Sequence, residues 1–315
     1  MTSSVHLAAE FGRVAVLMGG RSAEREISLK SGQAVLDALV KQGVDAHRID
    51  VDINVSKHLR DGHYDRAFIV LHGRGGEDGE IQGVLQSLNI PFTGSGITAS
   101  VLSMNKMISK QVWIPQNLPT ADFKQVTAES DSDVLVGDLG LPQIIKPVNE
   151  GSSIGMTKVN SADELSAAIK LATEFDAEVI SEQWIEGDEY TVAILNDEAL
   201  PVIQLKTPNE FYDFDAKYQA NTTEYICPSD LNEQDESDCK QLALQAFKAL
   251  RMTGWGRVDF MRDQSGQFFL LEANSIPGMT DHSLVPMAAK QAGLSFEQLV
   301  WKILEGSLEG RLNGE

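Results

Sequence analysis

Four residues in the last quarter of the chain carry the most legible chemistry: Arg257, Asp259, Glu272 and Asn274. They lie on two apolar-rich runs, GWGRVDFM and FFLLEAN, separated by DQSG, which is a turn signal. Side chains alternate along a strand, so Arg257, Asp259 and Met261 share one face, and Leu270, Glu272 and Asn274 share another. A two-residue turn at Gln264 and Ser265 predicts Arg257 opposite Glu272, with Asp259 diagonal to it and within reach of a shared ion. Asp, Glu and Asn offer only oxygen, a donor set that selects a hard cation such as Mg²⁺ or Mn²⁺. A surface hairpin with an ordinary Arg–Glu cross-strand pair has the same pattern. Asn274, Pro277 and Gly278, following so closely, favour the metal reading.

A second constellation suits phosphate. The loop EGSSIGM, residues 150–156, has two glycines and two serines whose N–H and hydroxyl groups can turn towards phosphate oxygens. It lacks the Gly-Lys-Ser/Thr of a Walker A motif, and a plain hairpin turn remains open for it. Lys146, at the end of the apolar run LPQIIKP, and Lys106, on an earlier helix, are the nearest cations. EQWIEGDEY, residues 182–190, sets Glu182, Trp184 and Glu189 around a strand end, where a carboxylate could grip ribose hydroxyls beside an aromatic. GSGITA, residues 94–99, fits a dinucleotide fingerprint but lacks the preceding strand and the later acidic residue, so it is read as a loop opening a helix.

These groups need a scaffold. The first third alternates strand and helix signals: strands over 13–18, 46–51 and 67–71, and helices over 24–42 and GEIQGVLQSLN. Strand, helix, strand at this spacing means a parallel sheet, whose ligands bind beyond the carboxyl ends of the strands. Those ends carry GGRSAERE and HGRGGEDGE. One helix is predicted over 100–113, and another over 161–174 with a Ser161–Glu164 capping signal. Further helices are predicted near 235–252 and 295–305. The polar, aromatic stretch 207–221 is long enough to be a functional loop.

Composition bounds the function. The chain has 315 residues, 42% hydrophobic and 23% charged, enough for two or three domains with real cores. A net charge of −20 argues against nucleic acid and anionic membrane as partners. It leaves room for a nucleotide held by a few local cations and a metal. No apolar run is long enough to span a bilayer, and no signal peptide is read. Cys227 and Cys239 match no zinc spacing or disulfide framework, which suits the cytoplasm.

Taken in order, the motifs resemble the ATP-grasp superfamily, and within it the bacterial D-alanine–D-alanine ligases. The carriers are GGRSAEREISLKSG, LHGRGGEDGEIQG, the KP…EGSSIGM loop, AKY at 216–218, GWGRVDFM and LEAN…PGMTDHSLVPMAA. The resemblance covers nearly the whole chain. It implies an α/β ATP-grasp fold behind a Rossmann-like N-terminal parallel-sheet domain, divided as 1–95, 96–183 and 184–315. It implies that ATP phosphorylates one D-alanine, that the amine of a second attacks the acyl phosphate, and that the dipeptide feeds peptidoglycan synthesis.

The resemblance also implies roles for named residues. Asp259, Glu272 and Asn274 would hold two Mg²⁺ (or Mn²⁺) ions. Lys106, Lys146, Ser152, Ser153 and Lys217 would contact the phosphates or the loop above them. Glu182, Trp184, Ile185 and Glu189 would hold adenine and ribose. Glu24 would take the ammonium of the first D-alanine, with His72 close by and with Tyr218 and Ser152 orienting it. Arg257 and the Gly278 N–H would form the oxyanion hole. Ser283 and the Leu284 N–H would take the carboxylate of the second D-alanine. Family members usually form homodimers. This chain departs from the family at Ile276, in the loop after the metal residues. Another carboxylate–amine ligase, or a non-catalytic nucleotide-binding module, are the alternatives.

Overall fold

The computed structural model describes residues 6–206 and 223–308. Its first unit runs β1 (Arg13–Gly19), α1 (Arg25–Lys41), β2 (Asp45–Val51), α2 (Val55–Gly62), β3 (Arg66–Ile69) and α3 (Glu80–Ser87). The sheet order is β2-β1-β3 and all pairs are parallel. β1 is the middle strand, and Val14 to Met18 are fully buried. A central parallel strand covered on both faces needs such an unbroken apolar run. The helix α2, with a single buried side chain, Leu59, has no counterpart in the sequence expectations.

Next come α4 (Ile97–Met104) and α5 (Lys106–Trp113). One continuous helix was expected over 100–113, and the structure breaks it at Asn105. Asn105 is extended (φ −89°, ψ 103°), and its side chain accepts from the Ile108 N–H at 2.9 Å. An Asn that caps a new helix cannot also continue the old one. The break makes Lys106 the first residue of α5, and its N–H donates to Val148 O at 3.2 Å.

The second sheet is antiparallel and four-stranded, in the order β4 (Phe123–Val126), β7 (Val179–Gln183), β5 (Gln143–Pro147), β6 (Thr157–Val159). Helices α6 (Ser132–Leu139) and α7 (Ala162–Thr173) belong to the same unit, and a separate small core including Leu135, Ile145, Leu165 and Ile169 lies between helices and sheet. The Ser161 side chain makes no cap bond at the start of α7. The Glu164 carboxylate accepts from the Asn160 N–H at 2.8 Å, one residue before the N-cap, so the capping box is not formed.

The third sheet runs β11 (Glu224–Ile226), β10 (Ile203–Lys206), β8 (Gly187–Leu195), β12 (Trp255–Asp263), β13 (Phe268–Asn274), with β9 (Glu198–Ala199) paired to β8. α8 (Glu233–Ala249) packs on it, and α9 (Leu284–Gln291) and α10 (Phe296–Glu305) follow. Two cores meet this sheet. One joins it through α4, α5 and α8, with Trp113, Phe247, Phe260 and Leu270 inside. The other runs continuously from β1 and α1 to Ile276, Met279 and the last two helices. That continuity puts the loop after β13 directly against the first unit.

The β12–β13 hairpin differs from its expected register in two ways. The Asp263 N–H donates to Gln267 O, so three residues, Gln264 to Gly266, close the loop, with Gly266 at φ +91° and its N–H on Asp263 O, where a side chain would be strained. A bulge then leaves Leu271 without a partner between Leu270, opposite Phe260, and Glu272, opposite Asp259. The two offsets put Arg257 opposite Asn274 and Asp259 opposite Glu272. The bulge also turns Leu270 into the core, while Leu271 reaches the cavity face beside Glu272 and Met261.

Candidate active site

Two cavities lie against the hairpin, one of about 630 Å³ and one of about 450 Å³. They share three lining residues, Lys106, Glu150 and Glu272. The larger one collects Glu24, His72, Ser152, Arg257, Asn274, Gly278, Ser283 and Leu284. The smaller collects Lys146, Ser153, Glu182, Trp184, Ile185, Glu189 and Asp259. The described residues singled out by sequence therefore fall into two groups with a common wall. Lys217 and Tyr218, with the rest of the 207–221 loop, lie outside the described residues.

Glu24 stands at the N-cap of α1, just beyond β1. Its Oε1 accepts from Ser152 Oγ at 2.5 Å, which ties the first unit to the glycine-rich loop. Ser152 and Ser153 both have positive φ, at 54° and 59°. Left-handed backbone at consecutive non-glycine residues is uncommon and turns their N–H groups away from a strand course. Arg74, from the loop after β3, holds the other side: its Nε donates to Glu150 Oε1 at 2.8 Å, and its Nη2 lies 3.7 Å from Asp176 Oδ1. The Lys106 ammonium donates to Glu150 O at 2.7 Å and lies 3.1 Å from Glu272 Oε2.

The oxygen ligand set is assembled on one face. Asp259 and Glu272 are opposite, and Asn274 Nδ2 donates to Asp259 Oδ2 at 3.0 Å. Arg257 forks onto Asp259 with two bonds of 2.8 Å, and Thr191 Oγ1 on β8 donates to the same carboxylate at 2.6 Å. Protein cations thus neutralise both carboxylates in this geometry. Two carboxylates and an amide oxygen within one cross-strand neighbourhood fit a hard divalent cation. Among the described residues, no group of three or more His, Cys, Asp or Glu side chains is placed to hold a metal, so the amide of Asn274 is needed to complete the set.

His72 is buried, and its Nδ1 donates to Ile276 O at 2.8 Å, an assignment that follows from the partner's being a carbonyl. Burial lowers its pKa, and the Glu24 charge opposes that only in part. Ile276 is itself buried in the main core. Ser31 on α1 accepts from the Met279 N–H at 3.2 Å and lies 3.4 Å from His72 Nε2. Gly278 sits so close to Ser283 that a Cβ would lie 2.8 Å from its Oγ. Ser283 is the N-cap of α9, and its Oγ accepts from the Thr280 N–H at 2.9 Å rather than from the helix.

Glu182 lines the smaller cavity with its carboxylate already engaged. Its carboxylate is buried between two lysines: Lys110 Nζ lies 2.7 Å from Oε1, and Lys146 Nζ pairs with Oε2. A carboxylate so engaged does not grip ribose. Burial alone would raise its pKa, but the two ammonium groups outweigh burial and hold it below the usual carboxylate range. Trp184 and Glu189 line the same cavity, and Lys158 Nζ stands 4.3 Å from the Trp184 ring centroid. Sequence reasoning missed Lys110, one helical turn after Lys106 on the same face. It missed Glu77, which lines the larger cavity and whose carboxyl is pushed up to about 8 by burial and by Glu24. Thr191, directly opposite Asp259 across β8 and β12, was missed as well.

Known proteins place these features in context. Family models described as D-ala D-ala ligase N-terminus and C-terminus match residues 52–95 and 112–305. A D-alanine–D-alanine ligase of Nitrosococcus oceani is 56% identical over 302 residues, covering 96% of each chain. A crystal structure of the D-alanine–D-alanine ligase from Bacillus anthracis is 34% identical, covers 94% of this chain and 97% of its own, and superposes with a TM-score of 0.85. The same enzyme complexed with ATP gives 32% identity, the same coverage and a TM-score of 0.83.

Proposed function

The chain belongs to the D-alanine–D-alanine ligase family, and from that premise we propose how its residues join two D-alanines at the expense of ATP for peptidoglycan precursor synthesis. The observation that carries the reading is the shared wall of the two cavities. A nucleotide in the smaller one and an amino acid in the larger one would meet at Lys106 and Glu272. The fold is that of the ATP-grasp ligases, organised as an N-terminal domain to about residue 95, a central subdomain to 183 and a C-terminal subdomain beyond.

The Glu182 main chain, Trp184 and Ile185 hold adenine, and Glu189 takes the ribose. Lys106, Lys146, Ser152, Ser153 and Lys217 hold the phosphates. Asp259, Glu272 and Asn274 would hold two Mg²⁺ or Mn²⁺ ions, which when bound neutralise phosphate charge. Glu24, oriented by Ser152 and Tyr218, takes the ammonium of the first D-alanine and so turns its carboxylate towards the phosphate. The transfer gives an acyl phosphate and ADP, a step that relies on positioning and charge neutralisation. Ser283 and the Leu284 N–H, at the start of α9, receive the carboxylate of the second D-alanine, as helix N-termini favour anions. Its amine attacks the acyl carbon, and Arg257 with the Gly278 N–H stabilises the oxyanion before phosphate leaves. Neutral His72 donates to Ile276 O and steadies the loop that ends at Gly278. The enzyme works in the cytoplasm as a homodimer.

The test is ADP release with ATP, Mg²⁺ and D-alanine, with product analysis. D-alanine-dependent ADP and D-alanyl-D-alanine are expected. ADP formed only with a different acid pair would overturn the substrate assignment.

A further inference from the structure

Lys110 has no role in the reaction as set out above, yet it is fully buried. It sits on α5 one turn after Lys106, so the two ammonium groups leave the same helix face. Lys106 reaches the hairpin and the glycine-rich loop. Lys110 reaches the second sheet, donating to Thr120 Oγ1 at 2.6 Å and Ala121 O at 3.1 Å, beside the Phe123 ring. Its third partner is the Glu182 carboxylate, whose far oxygen holds Lys146. The result is a buried row of positive, negative and positive charge. Its last member, Lys146, lines the nucleotide cavity, whereas Lys110 does not.

A buried carboxylate with one lysine would form a closed neutral pair with little left to attract phosphate. With two lysines the row keeps a net positive charge, and Lys146 shares its partner. We propose that Lys110 is a positioning residue for ATP, acting through Glu182 to keep the Lys146 ammonium aimed and available to phosphate. The inference rests on the reading of the smaller cavity as the ATP site. It needs no particular amino acid substrate.

The experiment measures binding of ATP with Mg²⁺ directly, by calorimetry without D-alanine, so a wrong substrate assignment leaves it intact. A parent protein that fails to bind ATP would sink the site reading itself. In Lys110→Met, which keeps chain length and removes the charge, ATP affinity falls about tenfold, the scale of one charge-assisted contact. The KM for D-alanine changes less than about twofold in the same variant. Glu182→Gln, which removes the carboxylate that Lys110 and Lys146 share, is the reference for the double variant. Adding Glu182→Gln to Lys110→Met restores most of the lost affinity, which a merely structural lysine would not do. If Lys110→Met does not fold, the double variant is compared with Glu182→Gln alone, and equal affinity is expected. Unchanged ATP affinity in Lys110→Met, equal losses for ATP and D-alanine, or a double variant as weak as the single one overturns the proposal.

Discussion

The imidazole of His72 donates from Nδ1 to the main-chain carbonyl of Ile276 at 2.8 Å, joining the end of the first parallel sheet to the loop after the β12–β13 hairpin. The bond reads main chain, so the side chain at 276 is free to fill the core. The isoleucine side chain therefore leaves the loop's anchoring intact.

Burial gives that bond a pH signature. A histidine whose folded pKa lies below its ordinary 6.5 binds fewer protons folded than unfolded, so its stabilising contribution is present above 6.5 and lost as pH falls through the folded value. Parent and His72→Asn melting temperatures are expected to converge between pH 7 and 5. A constant gap would count against the assignment.

Glu77 has the opposite sign. Its carboxyl rises from 4.5 to about 8, so its contribution is full below 4.5 and lost as pH rises through 8. Glu77→Gln, which cannot ionise, should become relatively more stable than the parent between pH 5 and 8.5. Thermal melts across that range check it, and a gap moving the other way refutes it.

Arg257→Ala removes the proposed oxyanion donor and should lower kcat roughly 10²–10³-fold. It also leaves Asp259 without its guanidinium partner, so a loss of melting temperature should accompany it. Glu272→Gln should abolish turnover while the melting temperature holds. Near-normal ADP release from Glu272→Gln would remove the residue from the proposed metal set.

Arg74 tests the glycine-rich loop. Its side chain is about half exposed, so the ion pair with Glu150 contributes only ~0.2–1 kcal/mol to stability. Arg74→Ala should therefore melt like the parent yet bind ATP several-fold more weakly, because Glu150 leads directly into Ser152. Loss of stability without loss of ATP affinity would reverse that reading.

Asn105→Ala deletes the cap of α5 and should cost about 1 kcal/mol. Lys106 is the next residue, so ATP affinity should fall with stability. Urea unfolding paired with ATP titration distinguishes this from a general loosening, in which only stability moves.

Much of this was legible because it rests on local rules. β1 reads as buried from five consecutive apolar residues, and the hairpin reads from strand alternation around a turn. What failed needed information from other parts of the chain. The hairpin's register depends on a glycine in left-handed backbone and on the unpaired Leu271, neither of which alternation encodes. The break at Asn105 became necessary because Lys106 is bound to Val148, 42 residues later in the chain. The ion pairs of Glu182 were not legible because Lys110 reaches it from another element. A lysine spaced four residues from a functional lysine within an apolar helix was the available signal.

Ser31 adds one consequence. Glu24 at the start of α1 and Ser31, seven residues on, are anchored to different parts of the site, the glycine-rich loop and the Met279 N–H. A helix advances ~1.5 Å and turns ~100° per residue. Seven residues complete nearly two turns, so both anchors emerge on one side about 10 Å apart. The helix is in effect a keyed shaft. Tilting it carries both anchors together and keeps their spacing, whereas inserting a single residue between them would swing Ser31 out of reach of the loop with no loss of helical content.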